Sequence, residues 1–418
     1  MNRQRSAAWL VGMVTLSVFI NYIDRGNLST ASSLIADQLH LDEAQLGVLF
    51  SAFYFGYVPL MPFMGMLADR IGAKLVLATG VAIWSIATFS TGLAGGFMSL
   101  LALRVLLGIG ESAAFPCASK IIAQSVPVAR LGLANGILSC GYLVGPSVGM
   151  FLGGTLMIFF GWRVVFMVFG AASLLWLWPW RRADISTSTG GEATPGETAS
   201  VPSFWRILRE RSLWGAAIGH FASNYTYYFI LSWLPYYLVK SRDFSLQAMV
   251  ETASLAYAVN AASALAMGWL ADRWIREGGS PTRIYKWIMA ANHVAGFICI
   301  GAIPFLGAPA AIAALFVFQI ASGASYPGLF AIPQIIAGPA ATARWVGVQN
   351  ACGNAAGLVA PILGGWLAHV SGSFNSAFAV AAGVNLAGLV GWVWIMQKVE
   401  PRDWGAGDMA SSPARASS

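Results

Sequence analysis

The sequence predicts an all-α polytopic membrane protein of twelve transmembrane helices in two pseudo-symmetric six-helix bundles, and three observations carry that prediction. Of 418 residues, 57% are hydrophobic and only 10% charged, against roughly 25% charged in an ordinary soluble domain, and the mean hydropathy is +0.66. Apolar stretches able to form ~20 residues of helix, the length demanded by a hydrocarbon core of about 30 Å, recur all along the chain. The second half of the chain also repeats the first. Lipid offers the backbone no hydrogen-bond partner and nothing here alternates like barrel strands, so helices are the spanning element.

The first segment, about 7–33, is too long for a secretory signal core and lacks a small-residue cleavage site, so it reads as a retained helix. Asp24 and Arg25 lie deep inside it. The second, about 44–67, carries Tyr54 and Tyr57 and runs into the loop GMLADRIGAK, with Gly65, Asp69, Arg70 and Lys74. The third covers about 73–95. The fourth, about 97–122, contains RVLLGIGESAAFP and with it Arg104 and Glu111. In the fifth, about 131–159, Gly141, Gly145, Gly149 and Gly153 recur at a spacing that permits close helix packing. The sixth, about 162–180, ends on Trp176, Trp178 and Trp180, residues suited to a membrane interface. Residues 184–203 (DISTSTGGEATPGETASVPS) are polar and rich in Gly, Ser, Thr and Pro, the composition of a flexible linker. Six more segments follow at about 212–239, 247–271, 284–306, 308–336, 345–369 and 373–397. The domain reading is an N-terminal bundle over 1–183, a cytoplasmic linker over 184–203, a C-terminal bundle over 204–400 and a cytoplasmic tail over 401–418.

The halves align in chain order. NYIDRGNLS at Asn21 matches NYTYYFILS at Asn224, an offset of 203 that also relates Asp69-Arg70 to Asp272-Arg273. Phe115-Pro116 matches Tyr326-Pro327 at 211, Ala129-Arg130 matches Ala343-Arg344 at 214, and Pro146 matches Pro361 at 215. Paired repeats of this kind place a central site between the halves, exposed alternately to each side.

The net charge of +7 is distributed for topology rather than for nucleic acid. Basic residues gather in alternate loops, and the intervening loops hold only Arg163, Lys240 and Arg242. The positive-inside rule then puts both termini in the cytoplasm, as an even number of spans requires. The four cysteines fall inside helices without a C-x-x-C pair, so neither a disulfide framework nor a metal site is expected.

Four charges inside the membrane are the most informative residues. A charge at mid-bilayer costs at least ~2.5 kcal/mol, so Asp24, Arg25, Arg104 and Glu111 should face partners or a wet cavity. Arg104 and Glu111 are two turns apart on one face, about 10 Å along the axis. Two acids and two arginines can neutralise one another while the cavity is empty; the plain alternative is that they only hold the first and fourth helices together. The repeat lacks these charges in its second copy. Tyr227 and Tyr228 stand at the positions of Asp24 and Arg25, and Ser322 at that of Glu111. Proton and anion chemistry is therefore expected in the N-terminal half, among Asp24, Arg25, Arg104 and Glu111. Hydroxyls and amides come from Tyr225, Tyr227, Tyr228, Asn350 and Asn354, with Tyr22 and Tyr54 counted among the substrate contacts. An arginine fork pairs bidentately with a carboxylate, and substrate competing for Arg25 would favour protonation of Asp24. His220 and His293, single histidines on apolar helices, read as packed side chains. Gly65, Asp69, Arg70 and Lys74, with Asp272 and Arg273 in the repeat, read as a cytoplasmic gate.

The loop GMLADRIGAK, its partial copy GWLADRW at Gly268 to Trp274, and RVLLGIGESAAFP resemble the signatures of the major facilitator superfamily. Within it, NYIDRGNLS, SAFYFGY, GIGESAAFP and WLPYYL are similar to the anion:cation symporter group, which includes bacterial galactonate, glucarate and hexuronate transporters and sialin. That resemblance implies Asp24 and Glu111 as proton-carrying acids, Arg25 as their partner and a substrate ligand, Arg104 as a second cavity arginine, and Tyr54 and Asn354 as substrate contacts. Two positions counted among the substrate contacts depart from the galactonate-type pattern, Tyr142 standing where glutamine is usual and Phe330 where tryptophan is usual, which leaves the substrate open.

The expectation is proton-coupled import of a small organic anion, a sugar acid such as a hexonate, hexuronate or aldarate, by alternating access in a bacterial inner membrane. The alternatives are another carboxylate, aromatic or dicarboxylic, or a proton-antiport exporter. No cofactor, metal or nucleic acid is expected, the driving force being the proton gradient, and the chain is taken as a monomer. An enzyme would need a nucleophile, metal-ligand or nucleotide motif in the helices, and none is present.

Overall fold

The computed structural model describes residues 3–126, 131–183, 204–402 and 404. The linker expected at 184–203, most of the tail, Arg130 and the side chains of Asp69 and Arg344 lie outside the described residues. Among the described residues, nine helical segments are long and apolar enough to cross a membrane. One of these, Gly136–Trp180, turns within itself and supplies two spans. A broken helix at 43–71 and Arg211–Arg242, diluted by tyrosines and asparagine, complete twelve.

Helix α1 (Arg3–Thr30) continues through a short bend into the helix Ser32–Leu39, which extends past the end at about 33 expected from sequence. α2 consists of Glu43–Tyr57 and Met61–Ile71, not the unbroken helix expected. Pro59 and Pro62 cannot donate to the carbonyls one turn back, and the helix opens between them and Tyr57. α3 is Ala73–Thr91. α4 runs Phe97–Glu111, breaks at Ser112 and Ala113, and resumes as Ala114–Ser125. Pro116 leaves the Ser112 carbonyl without its helical donor, so the break falls just after Glu111. The stretch Leu131–Leu175 turns at Gly161 (φ 74°), a backbone state that favours glycine, giving α5 (131–160) and α6 (162–175, continued by Leu177–Trp180).

In the second half, α7 is Arg211–Arg242, α8 is Leu246–Arg276, and α9 is Pro281–Ala295 continued by Gly296–Ile300 and Ile303–Phe305. Ala308–Ser371 turns at Gly338 (φ 63°) into α10 (308–337) and α11 (339–371), and α12 is Asn375–Val390 with Gly391–Ile395.

The sequence repeat is a repeat of contacts. A Cβ on Gly65 would lie 3.9 Å from Pro116, and one on Gly268 would lie 3.4 Å from Pro327, so α2 meets α4 as α8 meets α10. Asp42 caps α2 by accepting the Gln45 N–H at 2.7 Å, and Ser245, 203 residues on, caps α8 by accepting the Ala248 N–H at 3.1 Å. Lys74 of α3 donates to the carbonyls of Arg181 and Ala183 at the end of α6. Lys286 of α9 donates in the same way to Val393 and Met396 at the end of α12, at 3.0 and 2.7 Å.

Between the halves, α5 packs along α8, α2 along α11, and α1 against α7. The membrane face where α1 ends and α2 begins is clamped. Lys240 pairs with Asp37, the Tyr236 hydroxyl donates to Glu43 Oε1 at 2.9 Å, and His369 Nδ1 lies 3.8 Å from Glu43 Oε2. Behind these polar contacts the Phe50 and Trp233 rings meet edge to face at 5.2 Å. Further in, the Ser51 hydroxyl donates to the Gly357 carbonyl and the Ser147 hydroxyl to the Ser254 carbonyl, linking α2 to α11 and α5 to α8.

Candidate functional site

The site begins with two consecutive residues of α1. Side chains one position apart on a helix diverge by about 100°, so Asp24 and Arg25 enter different surroundings. Arg25 Nε donates to Glu111 Oε2 across 3.0 Å, joining α1 to α4 where α4 breaks, with the two side chains 5% and 0% exposed. The guanidinium also lies over the rings of Tyr22, Phe53 and Tyr57 at 4.6, 4.7 and 4.5 Å. Aromatic faces attract such a cation all the more where water is excluded. Nε is committed to Glu111, while Nη2, sealed from solvent in this state, has no protein partner among the described residues.

Asp24 is buried, and neither of its carboxyl oxygens has a hydrogen-bond partner among the described residues. Glu111 and Arg104 are its charged neighbours, and the Thr88 hydroxyl, beyond close hydrogen-bonding distance, is the donor directed toward it. Arg104 is equally buried, with its Cζ 5.5 Å from the Phe53 ring and its Nε unpartnered. The four charges thus form one electrostatically linked buried cluster, but only Arg25 and Glu111 form a direct pair.

Arg25 opens onto a cavity between the halves of about 210 Å³. The N-terminal half lines it with Tyr22, Arg25, Tyr57, Met61, Phe115, Tyr142, Leu143 and Pro146. The C-terminal half contributes His220, Asn224, Tyr227, Tyr228, Tyr257, Asn260, Tyr326, Leu329, Phe330, Asn350 and Asn354. Seven of the chain's 12 tyrosines face this one space, so its wall combines flat apolar faces with hydroxyls. Tyr22, Phe115 and Tyr142 form an aromatic cluster with centroids 5.8 to 6.3 Å apart. Opposite them, the Tyr228 hydroxyl donates to Asn354 Oδ1 at 2.8 Å, and Asn354 Nδ2 reaches Asn350.

Of the substrate contacts expected from sequence, Tyr22, Arg25, Tyr142, Tyr228, Phe330, Asn350 and Asn354 line the cavity. Tyr54 stands behind the wall, its ring 4.8 Å from Tyr228 and pressed against Gly357 of α11. Arg104 lies beyond Phe53, and Tyr225 turns into the bundle interior against Phe221. Residues that the sequence reading passed over or ranked low, Tyr57, His220, Asn224, Tyr257, Asn260 and Tyr326, belong to the lining. The signal was present on α7, where His220, Asn224 and Tyr228 recur every four residues along one face. Of the expected gate, Arg70, Asp272 and Arg273 are exposed, and Arg273 pairs with Glu277 on its own helix at 2.8 Å. Lys74 is engaged at the end of α6.

Compared with known protein families, residues 14–358 match the model of the Major Facilitator Superfamily. The chain belongs to that superfamily. A hexuronate transporter of Bacillus subtilis is 28% identical over 386 residues, covering 88% of this chain and 90% of its own. A probable sulfoacetate transporter of Cupriavidus necator is 29% identical, with 97% and 98% covered, and a probable L-galactonate transporter of Escherichia coli is 27% identical, with 92% and 88% covered. Among solved structures, a bacterial homologue of the lysosomal transporter Spinster superposes with a TM-score of 0.75 at 20% identity, covering 94% of this chain and 95% of that one. The superfamily member described here is therefore an integral membrane transporter rather than an enzyme, with relatives named as transporters of anions and sugar acids.

Proposed function

We propose that this chain imports a small organic anion, a sugar acid of the hexonate, hexuronate or aldarate type, together with protons. The observation that carries the reading is the buried Arg25–Glu111 pair at the edge of a cavity lined by tyrosines and amides. The Nη edge of Arg25 is the natural seat for a substrate carboxylate. Glu111 competes with that carboxylate for the same cation, so a proton arriving on Glu111 releases the guanidinium to the substrate. In this reading Glu111, which is paired with Arg25, takes the place of Asp24 as the acid in direct competition for the guanidinium. Asp24 serves as the second acid, since a buried carboxyl without a partner is accommodated at least cost in its neutral form. The tyrosine hydroxyls and the asparagine amides would serve the hydroxyls of the substrate body, in keeping with relatives named for hexuronate and L-galactonate.

In this reading the protein sits in a bacterial plasma membrane with both termini cytoplasmic, and the clamp at Asp37, Glu43, Tyr236 and Lys240 is the closed periplasmic gate. The cytoplasmic gate is formed by Gly65, Asp69, Arg70, Lys74, Asp272 and Arg273. Uptake of labelled hexonates, hexuronates, aldarates and aromatic acids into proteoliposomes tests the proposal. Accumulation of a sugar acid should require an imposed inward proton gradient; accumulation indifferent to that gradient, or confined to non-anionic solutes, would reject it.

A further inference from the structure

The cavity has two poles, and the sequence pointed to only one of them. Arg25 marks the first, and among the cavity-lining residues it is the sole permanent cation. The second lies on α7, where His220 stands eight residues before Tyr228, about 12 Å along the helix axis. Tyr228 contacts Tyr54 at the level of Arg25, so His220 lies two turns away from the anion seat.

The imidazole is held in one orientation. Gln349 Oε1 faces the Trp345 indole N–H at 3.3 Å, and Gln349 Nε2 donates to the Leu329 carbonyl at 3.0 Å. Indole nitrogen can only donate and a carbonyl can only accept, so these partners fix which end of the Gln349 amide is which. The remaining amide hydrogen is directed at His220 Nδ1, 3.5 Å away, which makes Nδ1 the acceptor and places the ring proton on Nε2. Gly353 packs against one side of the ring and Phe330 meets it edge on at 6.5 Å. Nε2 has no protein partner among the described residues, and it is not one of the sealed, unsatisfied atoms of the interior. An oriented donor facing a cavity wall without a protein acceptor is a place for a ligand oxygen.

Resting on the anion reading above, we propose that His220 is a second substrate-binding residue, donating through Nε2–H to a hydroxyl at the end of the substrate opposite its carboxylate. The site then measures length. A six-carbon acid in extended form, with hydrogen bonds of about 2.8 Å at each end, bridges Arg25 and His220, while a three-carbon acid reaches only Arg25. A neutral second pole also favours a monoanion, because a second carboxylate there meets no second cation.

Binding of D-galactonate, D-glycerate and galactarate to the purified full-length protein tests this by titration calorimetry. Wild type should prefer galactonate to both other acids. His220→Phe keeps the ring packing and removes the donor, and should weaken galactonate about tenfold while changing glycerate less than twofold. His220→Gln, which restores an N–H donor, should recover most of the galactonate affinity. Unchanged galactonate binding in His220→Phe, an equal loss for galactonate and glycerate, or galactarate binding as tightly as galactonate would overturn the inference. A wild type that binds none of the three, and no hexuronate such as D-glucuronate, would instead overturn the anion reading itself.

Discussion

Arg25 holds three aromatic rings and one carboxylate at once. A planar guanidinium can stack on its faces while donating from its edges; a lysine ammonium has no faces and one charge centre. Arg25→Lys should therefore fold, yet lower sugar-acid uptake by about 100-fold, because both the stacking and the two-pronged grip on a carboxylate are lost. Initial rates in proteoliposomes, with protein abundance checked by size-exclusion chromatography, would show it, and near-normal rates would mean the arginine is only structural. Asp24, Arg25, Arg104 and Glu111 were legible in the sequence because a charge inside an apolar helix stands out against everything near it. Their pairing was not. Which acid meets Arg25 depends on the rotation of α1 against α4, and composition carries no information on that. Tyr257, Asn260 and Tyr326 were hidden for a related reason, since aromatic and amide residues are common on membrane helices and only the packing tells which of them face the cavity.

At the scale of helices, the proline breaks and the lysine caps shape the site. Opening of α2 after Tyr57 and of α4 after Glu111 frees the backbone beside the cavity, and both breaks follow from prolines visible in the sequence. Basic residues carried a more ambiguous signal. Lys74 is legible as a charge at a helix end and is proposed as part of the cytoplasmic gate, but only the structure shows that it donates to the last carbonyls of α6. Its counterpart Lys286 does the same for α12. Arg163 and Arg242 likewise seal loops, donating to Gly92 and Ala94 in one half and to Ile303 and Leu306 in the other. A cation at a helix C-terminus satisfies carbonyls that the helix leaves open and complements its dipole. Lys286→Met should then destabilise the protein by about 1–2 kcal/mol and leave substrate affinity within about twofold. A melting curve in detergent beside a binding titration would separate the two; a loss of affinity without a loss of stability would make Lys286 part of the transport machinery instead.

Over the whole molecule, the twofold repeat was read correctly from a handful of offsets, and it reappears as matched contacts at Gly65–Pro116 and Gly268–Pro327. The asymmetry between the halves survives as well, with the charges on α1 and α4 and the hydroxyls and amides on α7, α8, α10 and α11. The gate was less legible, because a sequence lists the charges at every helix end but not which are joined in a given state. One end is clamped here by Asp37–Lys240 and by Glu43 with Tyr236 and His369. If rocking about the cavity carries anion and proton together, the proton on Glu111 and the substrate on Arg25 must cross as one unit. The most direct test follows external pH while D-galactonate is added to proteoliposomes, alongside exchange of labelled galactonate across the same membranes. Wild type should take up protons with the anion, and Glu111→Gln should stop proton uptake while still exchanging galactonate; anion uptake without proton movement in wild type, or unchanged proton uptake in Glu111→Gln, would contradict the account.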